Sequence, residues 1–233
     1  MLLALETSAE RGGVALFEDG TLVGEADVAE HERHAASLLS CLDALLGRVG
    51  RKLGEVERIA LAIGPGSFTG LRIGLATALG LAFGTDRKLV PVPTLAALAL
   101  QAEANGWIAP LVDARRGEVY AGLYDANANP LLPDACASVS DFLAALPDRE
   151  PIALLGSGAQ LHRAELTAAL GGRARFLPLA AGVLRARSVG VLGHRLALAG
   201  ADLPPERVEL RYLRRAEAEA KRLALHSPAE PIP

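Results

Sequence analysis

An α/β protein of two similar lobes is what this sequence predicts, and three observations carry the prediction. A strand, turn and strand pattern in the first thirty or so positions returns past the middle of the chain. Helical periodicity alternates with short apolar runs. One of those runs, Arg58 to Ile63, enters a glycine-proline loop and then a helix, the pattern of a central strand covered on both faces.

Element by element, Leu2 to Glu6 reads as a strand and Thr7 to Gly12 as a polar turn. Gly13 to Phe17 is a second strand, Glu18-Asp19-Gly20 turns, and Thr21 to Val28 is a third. A helix is expected from His34 to Val49, its core stripe made of Ala35, Leu38, Leu39, Leu42, Leu45, Leu46 and Val49. After the strand Arg58 to Ile63, Gly64, Pro65 and Gly66 stop the chain and Ser67 stands where an N-cap is wanted. The helix that follows is expected to reach Gly84; then come a strand, Leu89 to Val92, and a helix from Thr94 to about Ala104.

The meander then repeats: strand Ile108 to Asp113, turn Ala114 to Gly117, strand Glu118 to Tyr124, turn Asp125 to Pro130. Each copy ends its first strand on an acid, Glu6 or Asp113, and puts Arg-Gly before its second, at Arg11-Gly12 and Arg116-Gly117. Further helices are expected at Ser138 to Leu146, Gly158 to Leu170 and Ser188 to Ala199, with a strand at Ile152 to Leu155. The lobes divide near Asn105-Gly106, as 1–104 and 105–233, with the last segment a candidate to pack back on the first lobe. Two such lobes with acidic hairpins facing a cleft are the architecture of the actin-like ATPase (ASKHA) fold, built from duplicated RNase H-like units.

Within the glycine helix, Gly70, Gly74, Thr77 and Gly84 share roughly one face, with Gly80 near its edge. Three interior glycines cost roughly 2 to 3 kcal/mol of helix propensity, so close approach of another backbone must offset them. That backbone belongs either to the chain's own sheet or to a partner; an anion held at the first turn is a third reading. The His34 helix likewise carries a small-residue face of Ser37, Ser40, Cys41, Ala44 and Gly47, either plainly solvated or approached by a second helix.

Of 233 residues, 51% are hydrophobic and the formal charge is −3, which fits a globular protein that does not hold nucleic acid by bulk electrostatics. No apolar stretch is long enough to span a membrane, and Glu6 interrupts the N-terminus too early for a secretory signal. Cys41 and Cys136 stand alone, which argues against a disulfide framework or zinc site. A cytoplasmic location is expected.

Phosphoryl chemistry on this fold needs a carboxylate and glycine turns that receive phosphates. Glu6, Thr7, Asp113, Gly156 and Gly158 are the candidate nucleotide or anion contacts, though both acids read equally as exposed turn residues. No Walker or dinucleotide spacing is present. His31 and His34 are the one close histidine pair and lack metal-ligand spacing; His162, His194 and His226 are isolated. No catalytic residue and no cofactor is assigned. From Glu206 to Arg222 a solvated charged helix is expected, with RNA phosphate or an acidic partner as the sharper option.

The chain resembles the TsaB (YeaZ) family over nearly its full length. The resemblance rests on GPGSFTGLRIGLA (Gly64 to Ala76), DARRGEVY (Asp113 to Tyr120) and PTLAALA from Pro93. It is supported by LETS at Leu5, Arg33-His34, the Gly156-Ser157-Gly158 turn and Tyr212 to Arg214. Glu6 stands where that family often has aspartate, and Leu210 replaces a proline. The resemblance implies a non-catalytic subunit that pairs with the catalytic paralogue TsaD and recruits the ATPase TsaE. Together they transfer threonylcarbamoyl to N6 of adenosine 37 in tRNAs reading codons that begin with adenine, and tRNA is engaged through the complex. It also implies that Ser37, Ser40, Cys41, Ala44, Gly66, Ser67, Phe68, Thr69, Gly70, Arg72, Gly74 and Thr77 form the partner interface, which could also serve a homodimer. The catalytic paralogue's metal-binding histidines have no counterpart in PVPTLAALALQA. A small actin-like ATPase or kinase with its own turnover is the alternative; a metallopeptidase lacks its ligands.

Overall fold

The computed structural model describes residues 1–9, 11–28, 35–148 and 150–214. Antiparallel strands β1 (Leu2–Glu6), β2 (Gly13–Glu18) and β3 (Thr21–Asp27) lead to helix α1 (Ala35–Val49). Strand β4 (Arg58–Gly64) joins β1 in parallel and is followed by α2 (Phe68–Ala82), β5 (Lys88–Pro93) and α3 (Thr94–Gln101). The second lobe repeats the scheme with β6 (Trp107–Arg115), β7 (Glu118–Tyr124), β8 (Pro130–Ser138), α4 (Val139–Ala145), β9 (Ile152–Leu155), α5 (Ser157–Leu161), α6 (Arg163–Leu170) and β10 (Ala174–Phe176). Strand order is β3-β2-β1-β4-β5 in one sheet and β8-β7-β6-β9-β10 in the other, the same connectivity twice. This is the duplicated, actin-like ATPase architecture.

Alternation along the strands builds the layers. Leu3 and Leu5 of β1 pack beneath Leu38, Leu42 and Leu45 of α1 and Ala78 of α2. Leu2 and Ala4 face the opposite way, toward α3 and the last helix of the described residues, α7 (Ala186–Leu198). Helix α3 also meets Ile108 and Tyr124 of the second sheet, so one buried helix is shared between lobes. The outer face of the second sheet carries α4 and α6. Helix α7 lies on the first sheet, where Gly193 admits the Ala60 methyl group and Gly190 admits the Phe17 ring.

Several expectations change. Ala35 is exposed and Leu39 is 44% exposed, so neither belongs to the core stripe of α1. The predicted start at His34 lies outside the described residues, as do His31 and Arg33. Gly84 is not in α2; it lies two residues past the helix end with φ +69°, the left-handed geometry glycine favours after a helix. Helix α3 ends at Gln101 because Glu103 turns to φ +47°. The predicted Gly158–Leu170 helix is two, broken at His162, and the three-residue β10 was not foreseen. The charged helix expected from Glu206 is absent as far as residue 214. Only a short 3-10 turn, Pro205–Arg207, forms there, and Arg211 donates its N–H to the Ile63 carbonyl at 2.8 Å, which draws the segment out as a strap. The rest of that stretch, and His226, lie outside the described residues.

Candidate functional site

Glu6 ends β1 on the side that faces α7, and its carboxylate folds back over the next turn. Oε1 accepts the Ser8 N–H at 2.6 Å, the Ser8 hydroxyl at 2.7 Å and the Ala9 N–H at 2.9 Å. The residue is fully buried. Burial pushes its carboxyl up to about 7, against the smaller downward pull of the hydrogen bonds, and Oε2 has no partner among the described residues. Glu6 is therefore not an exposed turn residue; it closes the turn.

That turn is the seat of α2. The Ser8 carbonyl accepts the Ser67 N–H at 2.8 Å. A Cβ at Gly66 would fall 2.6 Å from the same oxygen, one at Gly70 would collide with the Thr7 carbonyl, and one at Gly74 with the Thr7 hydroxyl. Ser67 caps the helix by accepting the Gly70 N–H at 3.2 Å. The glycine face is thus occupied by the chain's own first turn, and Gly74 and Thr77 are buried. The expectation that this face meets a partner is corrected for Gly74 and Thr77, which are buried; Gly66 and Gly70 are half-buried against the turn.

The outward face of α2 is another set: Thr69, Arg72, Ala76, Leu79 and Gly80 are exposed. Beside it, α1 exposes Ser40, Ala44 and Gly47, with Ser37 and Cys41 half-buried. Between the two helix starts and the first turn lies a cavity of about 280 Å³, lined by Thr7, Val28, Leu38, Ser67, Thr69 and Ile73 among others.

In the second lobe, Asp113 accepts the Arg115 N–H at 2.8 Å and donates its own N–H to Ser157 at 3.0 Å. Gly156, at φ +100°, and Gly158 pack against the Leu111 backbone. Their lack of a side chain serves that contact, as in the first lobe. Glu6 lines a cavity of about 140 Å³ with Arg11, Asp27 and Arg185, and Thr7 lines the larger one. Asp113, Gly156 and Gly158 line neither, so the five anion candidates do not converge on either cavity.

The role of Tyr212 to Arg214 emerges only in the folded chain. Arg211 pairs with buried Asp134 at 2.7 Å, and Asp134 in turn accepts from the Tyr124 hydroxyl. Arg214 donates to the Ala114 carbonyl at 2.5 Å and pairs with Glu118. Tyr212 stacks on Phe68, ring centroids 4.7 Å apart. The strap thereby ties the start of α2 to the β6–β7 hairpin.

The α3 stretch offers a metal no histidine, cysteine or carboxylate. Thr94 accepts the Gly64 N–H at 3.1 Å, and Leu95, Ala96, Ala97 and Leu98 are buried hydrocarbon. Among the described residues no three His, Cys, Asp or Glu side chains gather as a ligand set, and no helix is long and apolar enough to cross a membrane.

The family model described as TsaD, tRNA N6-adenosine threonylcarbamoyltransferase, matches residues 28–219. The chain is 33% identical to the tRNA threonylcarbamoyladenosine biosynthesis protein TsaB of Bacillus subtilis, over 94% of this chain and 96% of that one. It is 40% identical to TsaB of Haemophilus influenzae over 51% of each. The solved structure of YeaZ from Pseudomonas aeruginosa superposes with TM-score 0.78 at 28% identity, covering 91% of this chain and 99% of that one. On these matches the chain belongs to the TsaB (YeaZ) family of tRNA threonylcarbamoyladenosine biosynthesis proteins.

Proposed function

We propose that this chain is the non-catalytic scaffold subunit of the threonylcarbamoyladenosine system, working in the cytoplasm. It pairs with TsaD and recruits TsaE, so that threonylcarbamoyl reaches N6 of adenosine 37 of tRNA bound by the complex. The observation that carries this reading is the outer surface of the first lobe: two 15-residue helices side by side, with Ser40, Ala44 and Gly47 of α1 presenting little but backbone. A partner helix can approach such a face closely, and few charges must be desolvated, so apolar burial dominates the affinity. The same face serves self-association when the partner is absent.

Two further observations support inactivity of the isolated chain. The α3 positions after β5 include no histidine, cysteine or carboxylate to hold a metal, and the first-lobe turn packs Thr7 against Gly74 where a phosphate would need open N–H groups. Since the family model is named for a transferase, the decisive experiment is transfer itself. Purified chain, TsaD, and the two together with TsaE are each assayed for modified adenosine in tRNA. Modification by the mixture and none by the chain alone is expected; modification by the chain alone contradicts the reading.

A further inference from the structure

We propose that Arg72, held by Phe68 and Tyr212, is a preassembled docking point for an Asp or Glu side chain of the pairing subunit. The C-terminal strap is then part of the pairing face. This rests on reading the α1–α2 surface as that face.

Arg72 is the one charged residue of α2. Its guanidinium lies 3.9 Å over the Phe68 ring, and its Nε donates to the Tyr212 hydroxyl at 3.3 Å. Tyr212 completes the arrangement by stacking on Phe68. The side chain is exposed, yet its plane is fixed from two sides, so the rotamer freedom usually lost on forming an ion pair is already gone. Both terminal nitrogens remain without a carboxylate among the described residues. The other two arginines of this corner differ, since Arg211 is matched by Asp134 and Arg214 by Glu118. With Nε taken by Tyr212, the edge formed by the two terminal nitrogens is open and fits a carboxylate in bidentate fashion. A phosphate offers similar acceptors, but a chain of net charge −3, in which the neighbouring Arg211 and Arg214 are already matched by carboxylates, lacks the surrounding positive field that a nucleic acid requires. Arginine beside tyrosine is also the composition of an energetic centre in protein interfaces, and Tyr212 is 42% exposed.

The test is calorimetric titration of full-length chain with TsaD at low and high salt, with thermal melts to confirm folding. Arg72→Gln is expected to weaken pairing about tenfold and to flatten its salt dependence. Tyr212→Ala should weaken it less, and Arg72→Lys, which keeps the charge but loses the fork, should fall between Arg72→Gln and the unmutated chain. If Ala44→Arg abolishes pairing while Arg72→Gln binds with unchanged affinity and salt response, the docking point is overturned and the pairing face stands. Ala44→Arg binding at full affinity overturns the face itself. Loss of tRNA affinity by the Arg72→Gln complex, with pairing intact, would assign the site to phosphate and likewise overturn the proposal.

Discussion

The two lobes share one strand order yet dress their sheets differently on the outside. Over the first sheet, α1 and α2 are each 15 residues long. Over the second, the corresponding positions hold α4 of seven residues and the broken pair α5 and α6, of five and eight. Both lobes use the loop after their fourth strand to bring glycine against the first hairpin, at Thr7 and Ser8 just past β1 in one and at Leu111 within β6 in the other. The first lobe does so with a whole helix face, the second with a single turn. Duplication kept the core and the close approach, and only one copy extended them into a broad surface. The site follows from that difference.

Breaking the seat of α2 should have the largest effect. Gly70→Leu places a side chain on the Thr7 carbonyl and is expected to cost at least about 4 kcal/mol, since backbone must move; a melting curve measures it. Gly74→Leu should also unfold the lobe, so lost pairing in that variant reports on folding and not on an interface. Next comes the turn itself. The Glu6 carboxyl stands near 7 in the fold against an ordinary 4.5, so the folded state binds the proton more tightly. The resulting stability is full below the ordinary value and is lost as pH rises through about 7. Glu6→Gln should remove this slope, on the order of 3 kcal/mol across the window, as read from denaturant midpoints at a series of pH values.

Freeing the strap should cost less. Arg211→Met leaves the Asp134 carboxylate buried without its cation, for about 2 kcal/mol, moderated because Arg211 is partly exposed. The smallest effect separates the faces of α2 most sharply. A Cβ at Gly80 meets nothing within 4 Å, so Gly80→Ala should stabilise by about 0.5 to 1 kcal/mol, opposite in sign to Gly70.

Most strands were legible because their apolar runs are bounded by turn residues, and the repeat of acid and Arg-Gly marked the duplication. Spacing also showed that the glycine helix must meet a backbone. Which backbone it was could not be read, because Thr7 and Gly74 are brought together by the sheet and not by sequence proximity. Glu6 read as a turn acid because burial depends on what α7 covers. The strap was illegible for a related reason. Its order comes from Ile63, Asp134, Ala114 and Glu118, all remote in sequence, while its composition resembles a solvated helix.

The claim that pairing is carried by the small outer face of the first lobe is tested most directly by the mass of the complex. Native mass measurement or light scattering of an equimolar mixture with TsaD, for the chain and for Ala44→Arg, reads it in one experiment. A heterodimer with the unmutated chain, and free subunits with a variant of unchanged melting temperature, is the predicted result. Full complex formation by Ala44→Arg would contradict the account.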